Sequence, residues 1–254
     1  MTDKQTLFDT HFHIIDKKFP LVRNNGFIPE TFTVNDYCER LSGFNLIGGV
    51  VVSGSFQANN QDFMLEALNI LGTNFKGILN LAHPLRDEEI IQLNKLGIAG
   101  VRFNLYREGS ESIKYLDIIA QQIFNLAGWH IELYLDSKDL PELSSLIERL
   151  PAVSIDHLGL RKSGFKHLLK LVDKGVKVKA SGFGRVDFDP AKAINEINAV
   201  NPSALMFGTD LPSTRAPTPF QNSDITIISD TLDSSATKRV FFENAIEFYN
   251  IKIR

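Results

Sequence analysis

The sequence is poor in cysteine and contains no long apolar run. Cys38 is the only cysteine among 254 residues, which excludes an internal disulfide and any cysteine-ligated zinc finger. A cytoplasmic location is the default expectation for such a chain. No segment approaches the roughly 18 apolar residues that a membrane-spanning helix needs, and the first residues lack the apolar core of a signal peptide. We therefore expect an untargeted protein with no membrane partner.

The sequence also lacks an excess of positive charge. It has 27 Lys and Arg against 30 Asp and Glu, a formal net charge of −3. Nucleic-acid binders usually carry a basic stripe, so no nucleic-acid partner is expected. A small molecule is the expected partner, bound by a monomer or a small homo-oligomer. The length fits either two small domains or one (β/α)₈ barrel.

Eight short runs rich in β-branched and aromatic residues predict strands. They cover residues 7–14, 46–52, 75–82, 98–104, 130–136, 152–159, 176–182 and 205–210. Most gaps between them hold a segment with helical spacing, at 61–71, 111–127, 195–200 and 234–249 among others. Asp139 and Asp189, each just ahead of a proline, are expected helix N-caps. Eight βα units favour one closed α/β TIM barrel, a single domain over residues 1–254.

Unusual polar residues fall at the ends of the predicted strands. His11 and His13 end the first strand, His83 the third, His157 the sixth and Asp210 the eighth. Because active sites of (β/α)₈ barrels form at the carboxyl ends of the strands, we expect these side chains to meet. Tyr134 on the fifth strand joins them.

The spacing of His11 and His13 places both imidazoles on one face of the strand, about 7 Å apart. Two imidazoles at this place are explained if they bind a metal ion or polarise an oxyanion of the substrate. Asp210 could act there as a metal ligand or as a base. The simpler alternative is that each histidine only forms hydrogen bonds within the core. The convergence of four strand ends favours a site.

Charged residues elsewhere are assigned by their place in the barrel. Arg102, Arg107, Arg161 and Arg185 lie at or just after strand ends and suit a carboxylate or phosphate on a small anionic substrate. Lys179 and Glu132 are expected to form a structural ion pair inside the barrel. His130, which begins the fifth strand, is expected to be structural. Cys38 is expected to be a packed side chain.

Several motifs resemble the amidohydrolase-related family of metal-dependent-hydrolase-like barrels, in the branch of 2-pyrone-4,6-dicarboxylate lactonase and sugar lactonases. They are DTHFHI at 9–14, GVRFN at 100–104, GWH at 128–130 with LY at 133–134, DLPEL at 139–143, IDHLG at 155–159, KASG at 179–182 and GTDLP at 208–212. The resemblance runs from the first strand to the last. It implies a (β/α)₈ hydrolase that cleaves an ester or lactone C–O bond.

The resemblance also implies roles for individual residues. Asp210 resembles the general base that activates water. His11, His13 and His157 resemble histidines that polarise the lactone carbonyl, or that hold an ion in metal-dependent relatives. As substrate contacts, the resemblance or the strand-end positions nominate the following residues: Arg102, Arg107, Arg161, Arg185, Tyr134 and His83.

The chain departs from the family pattern at three positions. Phe27 replaces a tyrosine, Leu160 replaces an arginine, and Ser213 replaces a histidine. We therefore expect a lactone other than the pyrone dicarboxylate. Strands four and five lack the extra ligands of a binuclear site, so two metal ions are not expected. The branch that the chain resembles includes enzymes that work without a metal, which implies that no metal is obligatory. A single Zn²⁺ held by His11, His13 and Asp210 is the alternative.

The sequence leaves other functions of the same barrel fold open. One is metal-dependent decarboxylation of an aromatic acid, and another is a catalytically inactive barrel that binds a small acid as a sensor. A TatD-like nuclease shares His-x-His and this length, but the strand-four glutamate and the basic patch expected of it are missing.

Overall fold

A computed structural model describes residues 4–81, 83–106 and 113–252. Its eight strands are all parallel and follow one another around a single sheet in chain order. They are β1 (Thr6–Phe12), β2 (Asn45–Val52), β3 (Phe75–Leu79), β4 (Ile98–Asn104), β5 (His130–Tyr134), β6 (Val153–Ile155), β7 (Lys177–Ala180) and β8 (Leu205–Phe207). The predicted (β/α)₈ barrel is confirmed.

The barrel closes where the first strand meets the last. Phe12 forms a parallel bridge with Leu211, and the Thr10 hydroxyl donates to the carbonyl of Phe207 over 2.8 Å. The backbone N–H of Asp210 donates to the carbonyl of His11 over 2.7 Å. These contacts join the carboxyl ends of β1 and β8.

Ten α-helical segments accompany the strands among the described residues. They are α1 (Val34–Arg40), α2 (Asp62–Leu71), α3 (Asp87–Lys95), α4 (Leu116–Ala127), α5 (Leu140–Ile147), α6 (Phe165–Asp173), α7 (Pro190–Val200), α8 (Asn222–Thr231), α9 (Ser234–Lys238) and α10 (Asn244–Phe248). The predicted C-terminal helix is one continuous stretch in which a π-helical segment, Arg239–Glu243, links α9 to α10.

The two predicted N-caps differ in outcome. The Asp189 carboxylate accepts from the backbone N–H of Ala191 at the start of α7, as expected. Asp139 also occupies the N-cap position, at the start of α5, but its side chain makes no capping hydrogen bond there. A 3₁₀ turn, Ser137–Asp139, precedes α5, and Asp136 caps that turn through the backbone N–H of Lys138.

Apolar side chains fill two regions of the barrel. The larger core lies between the strands and the surrounding helices. The smaller one includes Phe8, Ile78 and Met206 from the strands together with Tyr249 and Ile251 from the end of the chain. This smaller core therefore packs the end of the chain against strands of the barrel.

Two further expectations can be compared with the structure. Cys38 is exposed on α1, which contradicts its expected packing, because Tyr37 takes the buried position and stacks on Phe12. Across the described ranges no helix is long and apolar enough to cross a membrane.

Candidate active site

Three imidazoles and one carboxylate converge at the carboxyl ends of the strands. His11 lies on β1, His13 just beyond it, His157 follows β6 and Asp210 follows β8. Oδ1 of Asp210 lies 3.9 Å from Nε2 of His11, 3.9 Å from Nε2 of His13 and 3.8 Å from Nε2 of His157. All four side chains are buried. The structure thus brings together the four residues that the sequence nominated as catalytic.

Backbone turns aim two of these side chains into the barrel mouth. His157 and Asp210 have φ angles of 51° and 61°, the left-handed region that non-glycine residues seldom adopt. Gly182 leaves room for the His157 ring, since a Cβ there would lie 2.6 Å from its Nδ1. Local strain and a close approach are therefore concentrated where the histidine and the carboxylate face each other.

Two of the histidines are held neutral. Burial, together with the neighbouring His11, keeps the pKa values of His13 and His157 well below the ordinary range. His13 Nδ1 lies 2.7 Å from the carbonyl oxygen of Val52, which can only accept, so Nδ1 carries the proton and Nε2 is an acceptor. His157 Nδ1 lies 2.9 Å from the Ser181 hydroxyl.

His11 differs because charged groups lie behind it. Its Nδ1 is 3.3 Å from Asp156 Oδ1, 3.4 Å from Glu132 Oε1 and 3.3 Å from Lys179 Nζ. Burial alone would lower the pKa of His11, but the Asp156 carboxylate raises it above the ordinary value. His11 is therefore the histidine best placed to carry positive charge.

A layer of paired charges lies beneath the imidazoles. Lys179 donates to Glu132, which confirms the predicted ion pair, and Arg102 binds Asp156 through Nε at 3.1 Å and through its terminal nitrogen at 2.7 Å. Although burial opposes ionisation of Asp156, His11 and Arg102 hold the pKa of its carboxyl well below the usual range. Two carboxylates and two cations balance, as buried charges require.

A buried carboxylate secures the junction of β1 and β8. Asp9 accepts hydrogen bonds from the backbone N–H of His11 and of Thr209, from the Thr209 hydroxyl at 2.7 Å and from the Tyr37 hydroxyl at 3.1 Å. Burial raises the pKa of Asp9 to about 6, against the opposing effect of these hydrogen bonds. Asp9 was not predicted as a site residue, although an aspartate within a strand of otherwise apolar character was a usable signal.

The converging side chains border a cavity with an empty volume of about 330 Å³, counting its open mouth. Its walls are His13, Gly54, Ser55, Phe56, Arg102, Asn104, Tyr134, His157, Arg185, Asp210, Thr214 and Arg215. Sequence reasoning missed Arg215, although the loop after β8 was expected over this face. Its guanidinium binds Asn24 and Ser55 and stacks 4.7 Å from the centre of the Phe27 ring.

The predicted substrate arginines are placed differently from one another. Arg102 and Arg185 line the cavity, and Arg185 Nε also donates to Asp210 Oδ2 over 2.6 Å. Arg161 binds the Tyr106 hydroxyl and the Arg185 carbonyl, and it is not among the described residues of the cavity wall. Arg107 lies outside the described residues.

Of the remaining two predicted substrate contacts, Tyr134 and His83, only Tyr134 lies in the cavity wall that the structure describes. Tyr134 lines the cavity, 4.9 Å beneath the Arg102 guanidinium. His83 is exposed on the loop after β3, where its Nδ1 lies 3.1 Å from the Pro84 carbonyl, and the described part of the cavity wall does not include it. The strand predicted to end there stops earlier, at Leu79.

The three departures from the family pattern have structural explanations. Phe27 supports the Arg215 guanidinium. The Ser213 hydroxyl accepts from the backbone N–H of Phe220 and so holds the loop after β8 together. Leu160 is buried, with a φ of 65° in the turn after His157.

Three of the side chains that converge at the strand ends have the spacing of ligands to a single metal ion. His11, His157 and Asp210 each offer one ligand atom, and these atoms lie within 4.8 Å of one another. Nε2 of His11 and Oδ1 of Asp210 are buried and have no hydrogen-bond partner. Ligands of a tetrahedral zinc ion lie about 3.4 Å apart, so separations of 3.8 to 3.9 Å from Oδ1 need little adjustment. This buried group could therefore hold a metal.

The chain is similar to a known protein family and to two curated relatives. The model of the family described as "Amidohydrolase" matches residues 8–251. The chain is 26% identical over 232 residues to a 2-pyrone-4,6-dicarboxylate hydrolase of Comamonas testosteroni, covering 80% of this chain and 76% of that protein. It is 23% identical over 225 residues to a 4-sulfomuconolactone hydrolase of Hydrogenophaga intermedia, covering 81% and 74%.

Solved structures show the same fold. A probable 2-pyrone-4,6-dicarboxylic acid hydrolase from Acinetobacter baumannii, crystallised with citric acid bound, superposes with a TM-score of 0.84 at 23% identity and covers 96% of this chain and 99% of its own. A putative 2-pyrone-4,6-dicarboxylic acid hydrolase from Pseudomonas putida gives 0.81 at 22% identity, with 100% of both chains covered. The fold is therefore shared along nearly the whole chain.

Proposed function

Because the chain belongs to the amidohydrolase family, we propose that it hydrolyses the ester C–O bond of a small carboxylated lactone. The observation that carries the proposal is the convergence of three imidazole Nε2 atoms on the unbonded Oδ1 of Asp210 inside a small cavity. The names of the two curated relatives, both hydrolases of lactones, support it.

Asp210 acts as the general base in this reaction. Its Oδ2 is occupied by Arg185, whereas Oδ1 faces the cavity, where it can take a proton from water. His13 Nε2, an acceptor 3.9 Å from Oδ1, helps to orient that water. The resulting hydroxide adds to the lactone carbonyl carbon and forms a tetrahedral oxyanion. Collapse breaks the ring C–O bond, and the leaving oxygen recovers the proton from Asp210.

His11 and His157 stabilise the oxyanion. His11 is the histidine whose pKa is raised, so its Nε2 can present an N–H to the developing negative charge. A Ser181 hydroxyl that donates to His157 Nδ1 leaves the proton of that ring on Nε2, which also faces the cavity. Both donors are fixed in a buried site, where preorganised hydrogen bonds contribute most.

Arginines on the cavity wall select an anionic substrate. Arg102 and Arg185 are held by Asp156 and Asp210, and Arg215 approaches from the loop after β8. Guanidinium groups bind carboxylates through paired hydrogen bonds. The carboxylate of the substrate is therefore placed against this wall, while the lactone carbonyl lies against the histidines.

We propose that no metal is obligatory. His11, His157 and Asp210, with His13 beside them, would hold one divalent ion where it is present, and that ion would polarise the lactone carbonyl. Polarisation of the lactone carbonyl does not require that ion, because the protonated His11 can supply positive charge at the same place.

A matched pair of substrates tests the reaction and the selection of an anion together. Purified protein is given muconolactone and its methyl ester, alongside sugar lactones, with added Zn²⁺ and after treatment with a chelator. We expect hydrolysis in both metal conditions and a kcat/KM for the acid about 10 to 100 times that for the ester, the usual range for a charged hydrogen bond. No hydrolysis of any lactone above the buffer rate would contradict the proposal.

The alternatives lead to different outcomes in the same assays. A decarboxylase releases CO₂ from an aromatic acid and loses activity with the chelator. An inactive sensor binds a small acid but turns nothing over, and Asp210→Asn leaves its binding unchanged. Neither alternative is favoured by the comparisons, whose curated relatives are named as lactone hydrolases.

A further inference from the structure

The layer beneath the imidazoles contains a second group with the donors of a metal site. His11, Glu132 and Asp156 offer ligand atoms that lie within 4.8 Å of one another. All three are fully buried, and Glu132 Oε1 and Asp156 Oδ1 both lie near His11 Nδ1, at 3.4 and 3.3 Å. Two buried carboxylates and an imidazole this close together form the kind of environment that binds a divalent cation.

The ammonium group of Lys179 lies among these three side chains. It donates to Glu132 Oε2, and it lies 3.3 Å from His11 Nδ1 and 3.9 Å from Asp156 Oδ1. Lys179 is itself fully buried and reaches the group from β7, on the Nδ1 side of His11. A cation is therefore already present at this place, supplied by the chain.

We propose that Lys179 is a built-in cation that takes the place of a metal ion beneath the catalytic cavity. Its charge balances Glu132 while Arg102 balances Asp156, so the layer is neutral without an ion from solution. Lys179 and the two carboxylates occupy the Nδ1 side of His11, which directs Nε2 towards Asp210. The barrel then has room for one divalent ion at most, the one at Nε2.

Removal of the ammonium group gives the test, because Lys179→Ala leaves a buried negative charge and the space of three methylenes and the ammonium group. Lys179→Ala should bind one more equivalent of Co²⁺ than the wild-type protein, whatever the wild-type protein binds. Bound metal is counted after gel filtration, and the visible absorption of Co²⁺ reports its coordination. Lys179→Ala combined with Glu132→Gln should lose the additional equivalent.

Two control variants distinguish the loss of the Lys179 charge from the opening of space for an ion. Lys179→Met removes the same charge but fills the space with an apolar chain, so we expect no additional cobalt. Lys177→Ala removes a half-buried lysine of the same strand, one that binds Ser203 outside this layer, and should match the wild-type protein.

Folding is followed by circular dichroism with and without Co²⁺. If Lys179→Ala is unfolded alone, refolding on addition of cobalt supports the proposal, and a protein that stays unfolded contradicts it. Equal metal content in Lys179→Ala and wild type also contradicts it. So does a loss of cobalt from the wild-type protein on Glu132→Gln alone, because that result would place a metal beside Lys179. None of these readouts depends on lactone hydrolysis.

Discussion

Replacement of Asp210 by asparagine removes the proposed base while keeping its volume. The amide oxygen can still accept from Arg185 Nε, which now lies 2.6 Å from Oδ2, so the loop after β8 should keep its position. The atom that faces the three imidazoles becomes an NH₂ group, which cannot take a proton from water. The structure therefore predicts a loss of catalysis without a loss of the cavity.

The expected effect is large and falls on kcat. General base catalysis contributes about 10²- to 10⁴-fold, which corresponds to about 3 to 5 kcal/mol of activation free energy. Because the amide keeps its contact with Arg185, KM should change by no more than about threefold, as for a group that acts only in the transition state.

The assay compares kcat and KM of the wild-type protein and Asp210→Asn on whichever lactone the screen identifies. Asp189→Asn is a matched control, because this exposed N-cap lies outside the site and asparagine caps as well as aspartate. Thermal unfolding of each variant shows that the fold is retained. A kcat of Asp210→Asn within tenfold of wild type, on a folded protein, would refute the assignment of the base.

Two further predictions concern the backbone and the pH dependence of stability. Gly182→Ala and Gly128→Ala both place a side chain at a positive φ, which should cost each variant about 1 to 2 kcal/mol of unfolding free energy. Only at Gly182 would the new Cβ also meet His157, so Gly182→Ala should lose more stability than Gly128→Ala, and it alone should lose activity. Equal activity of the two variants would count against the proposed role of the His157 position. Burial lowers the pKa of His130 from 6.5 to about 4, so the unfolded chain binds the extra proton first and stability falls as the pH drops from 6.5 towards 4. The shift corresponds to about 3 kcal/mol of unfolding free energy. Urea titrations at pH 6.5 and pH 4 should show that His130→Gln loses less unfolding free energy between the two pH values than the wild-type protein, by about that amount. An equal loss in both proteins would contradict this prediction.

The repeating βα pattern was enough to predict the barrel, but the strand ends were predicted too long. The strand expected at residues 152–159 is only Val153–Ile155, and the one expected at 205–210 is Leu205–Phe207. The residues beyond these ends have β-like sequence, yet His157 and Asp210 turn into left-handed backbone to face the cavity. The coverage of residues 1–254 by one domain stays a prediction.

The site was predictable where residue type and strand position agree. The three histidines and Asp210 lie at strand ends and meet as expected. Arg215 was missed because a loop of that length has no sequence periodicity that would fix the direction of its side chains. The role of Lys179 was only partly visible, because strand parity predicts its pairing with Glu132 but not its approach to His11.

The junction of β1 and β8 has a consequence for how activity arises during folding. His11 and Asp210 come from the first and last strands, and the hydrogen bonds of Asp9 hold those strands side by side. An intermediate that has assembled only the middle of the sheet has neither His11 nor the proposed base in place. Recovery of turnover during refolding should therefore report the pairing of β1 with β8, and it should come later than any signal from the helices. A chain emerging from the ribosome stays inactive until its eighth strand is free to join the first.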